Sequence, residues 1–147
     1  MIQKIDHINI VVRDLEKARQ FFEDLGFVCT NDRAELLEGE WVEKLTGLKN
    51  VTAFYYALTL PNSQVSLELL KYESPEDKDD QLIGKPNHLG FCHMAFAVEN
   101  IEKFVNDLQE KGVKFFSEIQ EYKPTKKKLC YFYGPEGIVL EVAEYGK

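Results

Sequence analysis

An internal repeat constrains this chain more than any other feature. The stretch His7-Ile-Asn-Ile-Val-Val-Arg-Asp-Leu-Glu-Lys17 lies over His93-Met-Ala-Phe-Ala-Val-Glu-Asn-Ile-Glu-Lys103 at an offset of 86 residues, which pairs His7 with His93, Asp14 with Asn100 and Gly26 with Gly112. The far ends repeat as well. Val65-Ser-Leu-Glu-Leu-Leu-Lys-Tyr72 lies over Ile138-Val-Leu-Glu-Val-Ala-Glu-Tyr145, now at an offset of 73. The offset falls because the first copy carries extra residues, read as an insertion at 35–49 that contains the only tryptophan, Trp41. A chain of 147 residues built this way holds two small modules of one design.

Each copy reads as strand, cap, helix and stop. Asp14 and Asn100 are residue types that accept hydrogen bonds from the free N–H groups of a helix's first turn. Apolar residues then recur at helical spacing, Leu15, Ala18, Phe21, Phe22 and Leu25 in one copy and Ile101, Phe104, Val105 and Leu108 in the other. Gly26 and Gly112 stand where helices commonly end in a left-handed residue. Further strands are expected at about 27–34 and 51–60, then at 113–119 and 129–133, with Pro61-Asn62-Ser63 and Gly134-Pro135-Glu136-Gly137 as turns. The expected fold class is α+β: two βαβββ modules, 4–72 and 90–145, joined by a linker at 73–89. Together they would form an open, cup-shaped mixed β-sheet with the helices outside. The insertion reads as a short helix or lid, and His88, in the linker, as a surface residue.

Strand alternation assigns faces. Ile8, Ile10 and Val12 oppose His7, Asn9 and Val11; Met94, Phe96 and Val98 oppose His93, Ala95 and Ala97. Near the module ends, Leu67 and Leu69 oppose Glu68, while Leu140 and Val142 oppose Glu141. In four strands a bulky apolar face is thus backed by a face of smaller residues bearing one His or one Glu. Two carboxylates facing a partly dry space repel each other and are costly unless a cation joins them. His7, Glu68, His93 and Glu141 are accordingly candidate ligands of one divalent metal ion, two imidazoles and two carboxylates being suitable donors.

Composition removes other classes. With 44% hydrophobic and 29% charged residues the chain is globular rather than disordered. A net charge of −7 argues against a nucleic-acid partner, whose phosphates need a basic surface. No apolar run is long enough to span a membrane, about 20 residues, and the N-terminal residues lack signal-peptide features. Cys29, Cys92 and Cys130, an odd and widely spaced set, read as reduced thiols of a cytoplasmic protein.

The repeated modules, the His-initiated strands and the Gly-Pro-Glu-Gly-Ile-Val-Leu-Glu ending resemble the vicinal oxygen chelate superfamily, which holds glyoxalase I, methylmalonyl-CoA epimerase, extradiol dioxygenases and the bleomycin-resistance proteins. The four-residue ligand set looks most like that of bacterial glyoxalase I (lactoylglutathione lyase). The resemblance implies a metal-dependent lyase or isomerase, with Ni, Co, Zn, Mn or Fe as cofactor. Glu141 would be the catalytic base and Glu68 the second catalytic carboxylate, and a proton would move next to a carbonyl through a metal-stabilised enediolate. The substrate would be a small α-oxo or thioester compound, and the protein a homodimer. Trp41, Tyr56, Tyr131 and Lys127 are candidate substrate-binding residues, Lys127 because it belongs to a basic loop, Lys123 to Lys128, at the cup's mouth. Two readings stand beside this one: a methylmalonyl-CoA-type epimerase, and a metal-free drug- or metabolite-binding protein.

One departure changes specificity. Glyoxalase I typically carries an Arg four residues after its first ligand and an Asn four after its second, both used to hold glutathione. Here those positions are Val11 and Tyr72, so thiol specificity does not carry over.

Overall fold

The computed structural model describes residues 1–79, 84–87 and 90–146. His88 and part of the linker lie outside the described residues. The chain divides into two compact units, Met1–Lys78 and Asp79–Lys147, and the fold class is α+β.

In the first unit β1 (His7–Val11) leads to helix α1 (Leu15–Asp24), then come β2 (Val28–Cys29), β3 (Glu35–Glu38), α2 (Glu40–Thr46), β4 (Thr52–Thr59) and β5 (Ser66–Ser74). The sheet runs β1-β5-β4-β2, with β3 also on β4. The module's first and last strands, β1 and β5, pair in parallel, and β4 is antiparallel to β5, β2 and β3. The Asp14 side chain accepts from the Lys17 N–H and caps α1. The helix then buries Ala18 and Phe22 completely against the sheet that carries Leu58, Leu67 and Leu69.

The second unit repeats the plan with β6 (His93–Ala97), α3 (Ile101–Glu110), β7 (Gln120–Tyr122), β8 (Lys127–Tyr133), a 3-10 turn at Pro135–Gly137 and β9 (Val139–Glu144). Its order is β6-β9-β8-β7, again with first and last strands parallel. Asn100 caps α3 through the Lys103 N–H, and Ile101, Val105 and Leu108 are buried beneath it. Phe132, fully buried on β8, meets the rings of Phe104 and Phe115 with centroids 6.1 and 5.4 Å away.

Two expected strands are shorter or displaced, each for a side-chain reason. The strand expected at 27–34 stops after Cys29 because the Asn31 amide takes the place of backbone: its Oδ1 accepts from the Ala57 N–H at 2.9 Å and its Nδ2 donates to the Tyr55 carbonyl at 3.2 Å. The strand expected at 113–119 is broken. Lys114 and Phe116 bond to Tyr133 and Tyr131, the Ser117 hydroxyl and the Gln120 amide then both donate to the Glu118 carbonyl, and regular pairing resumes only at β7. The insertion forms both a strand and a helix. Gly39 and Gly47, at φ of +94° and +73°, bracket α2 in conformations that L side chains rarely adopt. Among the described residues no helix is long and apolar enough to cross a membrane.

Candidate metal centre

The pairing register fixes which side chains share a face. In β1 and β5, His7 lies opposite Ser66, Asn9 opposite Glu68 and Val11 opposite Leu70. Across β4, Ala57 lies opposite Glu68 and Tyr55 opposite Leu70. One face of the first sheet therefore carries His7, Glu68 and Tyr55, while Tyr56, Leu67 and Leu69 look toward α1. His7 Nε2 is 3.6 Å from a Glu68 carboxylate oxygen. The other ring nitrogen, Nδ1, is 3.1 Å from the Asp6 carboxylate, whose own pKa is held down by that contact. A carboxylate behind one imidazole nitrogen orients the other toward a ligand position.

The second sheet repeats the arrangement with deeper burial. Ala95 lies opposite Glu141, and Tyr131 opposite Glu141 on the other side. Glu141 is 5% exposed, the one buried charged residue among those described. Its two oxygens are both engaged: His93 Nε2 lies 3.1 Å from Oε2, and the Lys127 ammonium donates to Oε1 at 3.0 Å. That bond raises the Lys127 pKa, since deprotonation would forfeit it. The Tyr131 ring lies 4.9 Å from the His93 ring, and burial raises its hydroxyl pKa. His93 Nδ1 is buried with no hydrogen-bond partner among the described residues. The repeat position of Asp6 is here Cys92, so nothing equivalent stands behind this imidazole.

Each unit thus brings one His and one Glu together. Among the described residues no group of three or more His, Cys, Asp or Glu side chains is assembled. The donor types fit a divalent ion. A buried carboxylate that has recruited an ammonium, 3.1 Å from an imidazole nitrogen, has the chemistry of a ligand pair.

The candidate substrate-binding residues scatter. Tyr131 and Lys127 are on the Glu141 face, and Lys127 belongs to β8 rather than to the loop, which is confined to residues 123–126. Tyr56 has to be corrected. It is buried toward α1, its hydroxyl donating to Glu16 at 2.7 Å under the Arg19 guanidinium, 5.0 Å from the ring centre. Tyr55 is the residue on the Glu68 face, donating to Glu35 at 2.8 Å. Sequence reasoning missed Tyr55 and Asp6; the choice between Tyr55 and Tyr56 needs the β4–β5 register, which alternation along one strand does not supply. Trp41 projects into solvent from α2 at 58% exposure while Val42 turns inward onto Val51, Ala53 and Leu70.

Cys130 gives a direct check of this burial. Desolvation pushes its thiol up to about 11, with the Glu141 charge adding to the shift. At pH 8 roughly one thiol in a thousand would be ionised, and only thiolate reacts quickly. An aromatic disulfide reagent at pH 8 is expected to leave Cys130 unmodified until denaturant is added, whereas half-buried Cys29 and Cys92 react first. Rapid titration of all three thiols in the folded protein would contradict it.

Comparison with known proteins agrees with this architecture. The sequence is 28% identical over 145 residues to the uncharacterized protein YwkD of Bacillus subtilis, covering 98% of both chains. It is also similar to glyoxalase I of Saccharomyces cerevisiae, 32% identical over 84 residues, which span 55% of this chain and 25% of the yeast protein. The crystal structure of a glyoxalase family protein from Bacillus cereus superposes with a TM-score of 0.89 at 29% identity, covering 100% of this chain and 97% of that one. The sequence model of the Glyoxalase/Bleomycin resistance protein/Dioxygenase superfamily matches residues 4–142, and the chain belongs to that family.

Proposed function

We propose that the chain is a metal-dependent lyase or isomerase of the glyoxalase I kind, moving a proton next to the carbonyl of a small α-oxo or thioester substrate. The observation that carries this reading is Glu141: a carboxylate kept in a buried position, between an imidazole and an ammonium, on a sheet face it shares with Ala95, Ala143, Leu129 and Tyr131. A group held there at a cost in desolvation is a candidate for chemistry.

His7, Glu68, His93 and Glu141 would be the ligands. When bound, the divalent ion supplies Lewis-acid stabilisation of negative charge developing on substrate oxygen. Glu141 takes the proton from carbon and returns it, to the neighbouring carbon in an isomerisation. Before an ion binds, His93 Nε2 at 3.1 Å and the Lys127 ammonium at 3.0 Å hold the two Glu141 oxygens in place, and Lys127 must withdraw to free one of them. Asp6 orients His7, and the Tyr131 ring fixes one flank of His93. Thiol specificity differs from that of glutathione enzymes, because Val11 and Tyr72 offer no cation or amide to a peptide carboxylate.

Elemental analysis tests the ligand set. The purified protein, reconstituted with nickel, cobalt or zinc, is expected to retain one metal per site, and His7→Ala and Glu141→Ala to retain almost none. A parent that holds no metal would remove the enzyme reading. It would favour a metal-free binding protein, for which the Lys127–Glu141 pair is the supporting observation: there the ammonium is the permanent counter-ion of the carboxylate.

A further inference from the structure

On the Glu141 face of the second sheet a cavity of about 590 Å3 opens beside Lys127, walled by Tyr122, Leu129 and Tyr145, with Gln120, Glu121 and Thr125 at its polar edge. The register places it there. Gln120 lies opposite Leu129, Tyr122 opposite Lys127, and Leu129 opposite Ala143, midway between Glu141 and Tyr145. Tyr122 and Tyr145 are 56% and 62% exposed, aromatic surface that water now wets. Lys127 sits between two attractions: its ammonium donates to Glu141 and also lies 5.3 Å from the centre of the Tyr145 ring. A flexible four-carbon stem can carry that charge from the carboxylate to the ring and cavity by side-chain rotation alone.

A divalent ion on Glu141 would contend with this ammonium for one oxygen, and the two cations repel each other. We propose that Lys127 serves two positions in turn: it neutralises Glu141 in the metal-free chain, and when a divalent ion takes Glu141 it turns into the cavity. There, with Tyr145, it holds the anionic group of a substrate that carries a ring or branched apolar substituent. This rests on the metal reading above and adds the substrate's class, an apolar-substituted anion. It also sets an order, metal before substrate.

The test is calorimetry on chelator-stripped protein, titrating zinc and then 3-phenylpropionate, a carboxylate bearing one ring. Lys127→Met is expected to bind zinc about tenfold more tightly than the parent, because the competing charge is gone. Zinc-loaded parent should bind 3-phenylpropionate about tenfold more tightly than metal-free parent, an advantage absent from loaded Lys127→Met and loaded Tyr145→Ala. Retained probe binding in loaded Lys127→Met would mean that the carboxylate sits on the metal itself and would overturn the proposal. So would equal zinc affinity in parent and Lys127→Met, or probe binding indifferent to zinc. If Lys127→Met does not fold, Tyr145→Ala decides: unchanged zinc affinity with lost probe binding supports the proposal, and retained probe binding overturns it. Failure of parent and variants alike to bind zinc overturns the metal reading and this inference together, whereas equal affinities overturn this inference alone.

Discussion

Glu141→Gln is expected to lower turnover by about two to four orders of magnitude while leaving the protein folded. Glutamine keeps the volume and one oxygen of the side chain, so the sheet face around it need not repack. It cannot accept the carbon-bound proton, and that single loss removes general-base catalysis. Lys127 would lose a charged partner, at a cost of about 1–3 kcal/mol, which circular dichroism and urea midpoints would register as a modest shift. The measurement is kcat for whichever hemithioacetal or acyl-CoA ester proves to be turned over by the parent. Full activity in the variant would take the base role away from Glu141, and an unfolded variant would show instead that its burial serves architecture.

The largest stability effect is expected at Phe132, whose ring is completely enclosed on β8 between those of Phe104 and Phe115. Truncation to alanine removes both contacts and leaves a void in a strand flanked on each side by backbone partners. The cost expected for such a change is about 3–5 kcal/mol. Urea denaturation would read it directly, with Tyr122→Ala, exposed on β7, expected to change stability by about 0.5 kcal/mol or less. Similar midpoints for the two variants would mean that the second unit's core closes elsewhere.

Much of the fold was legible because the repeat doubles every signal. Asp14 and Asn100 cap their helices as their residue types suggest, and the closing strands, β5 and β9, lie where the repeated Val65–Tyr72 and Ile138–Tyr145 segments put them. Alternation also assigned His7, Glu68, His93 and Glu141 to their faces, because period two is a local property of a strand. What escaped was non-local. The Asn31 side chain standing in for a strand's backbone, the break in pairing after Phe116, and the register that turns Tyr55 rather than Tyr56 toward Glu68 all depend on a second segment. A run of lysines reads as one basic loop, and Lys127 is expected in it on that ground. Its place within β8, four residues before Tyr131, brings it to Glu141 instead.

The parallel pairing of each module's first and last strands has a consequence for folding. His7 and Glu68, and likewise His93 and Glu141, are neighbours only because the beginning of a module meets its end. Neither pair can assemble on a partly synthesised module, since its second member arrives with the final strand. The approach of each imidazole to its carboxylate is therefore a late event with a long loop to close. The resonances of these two histidines would report completion of their own modules rather than early helix formation, a built-in clock for each half of the chain.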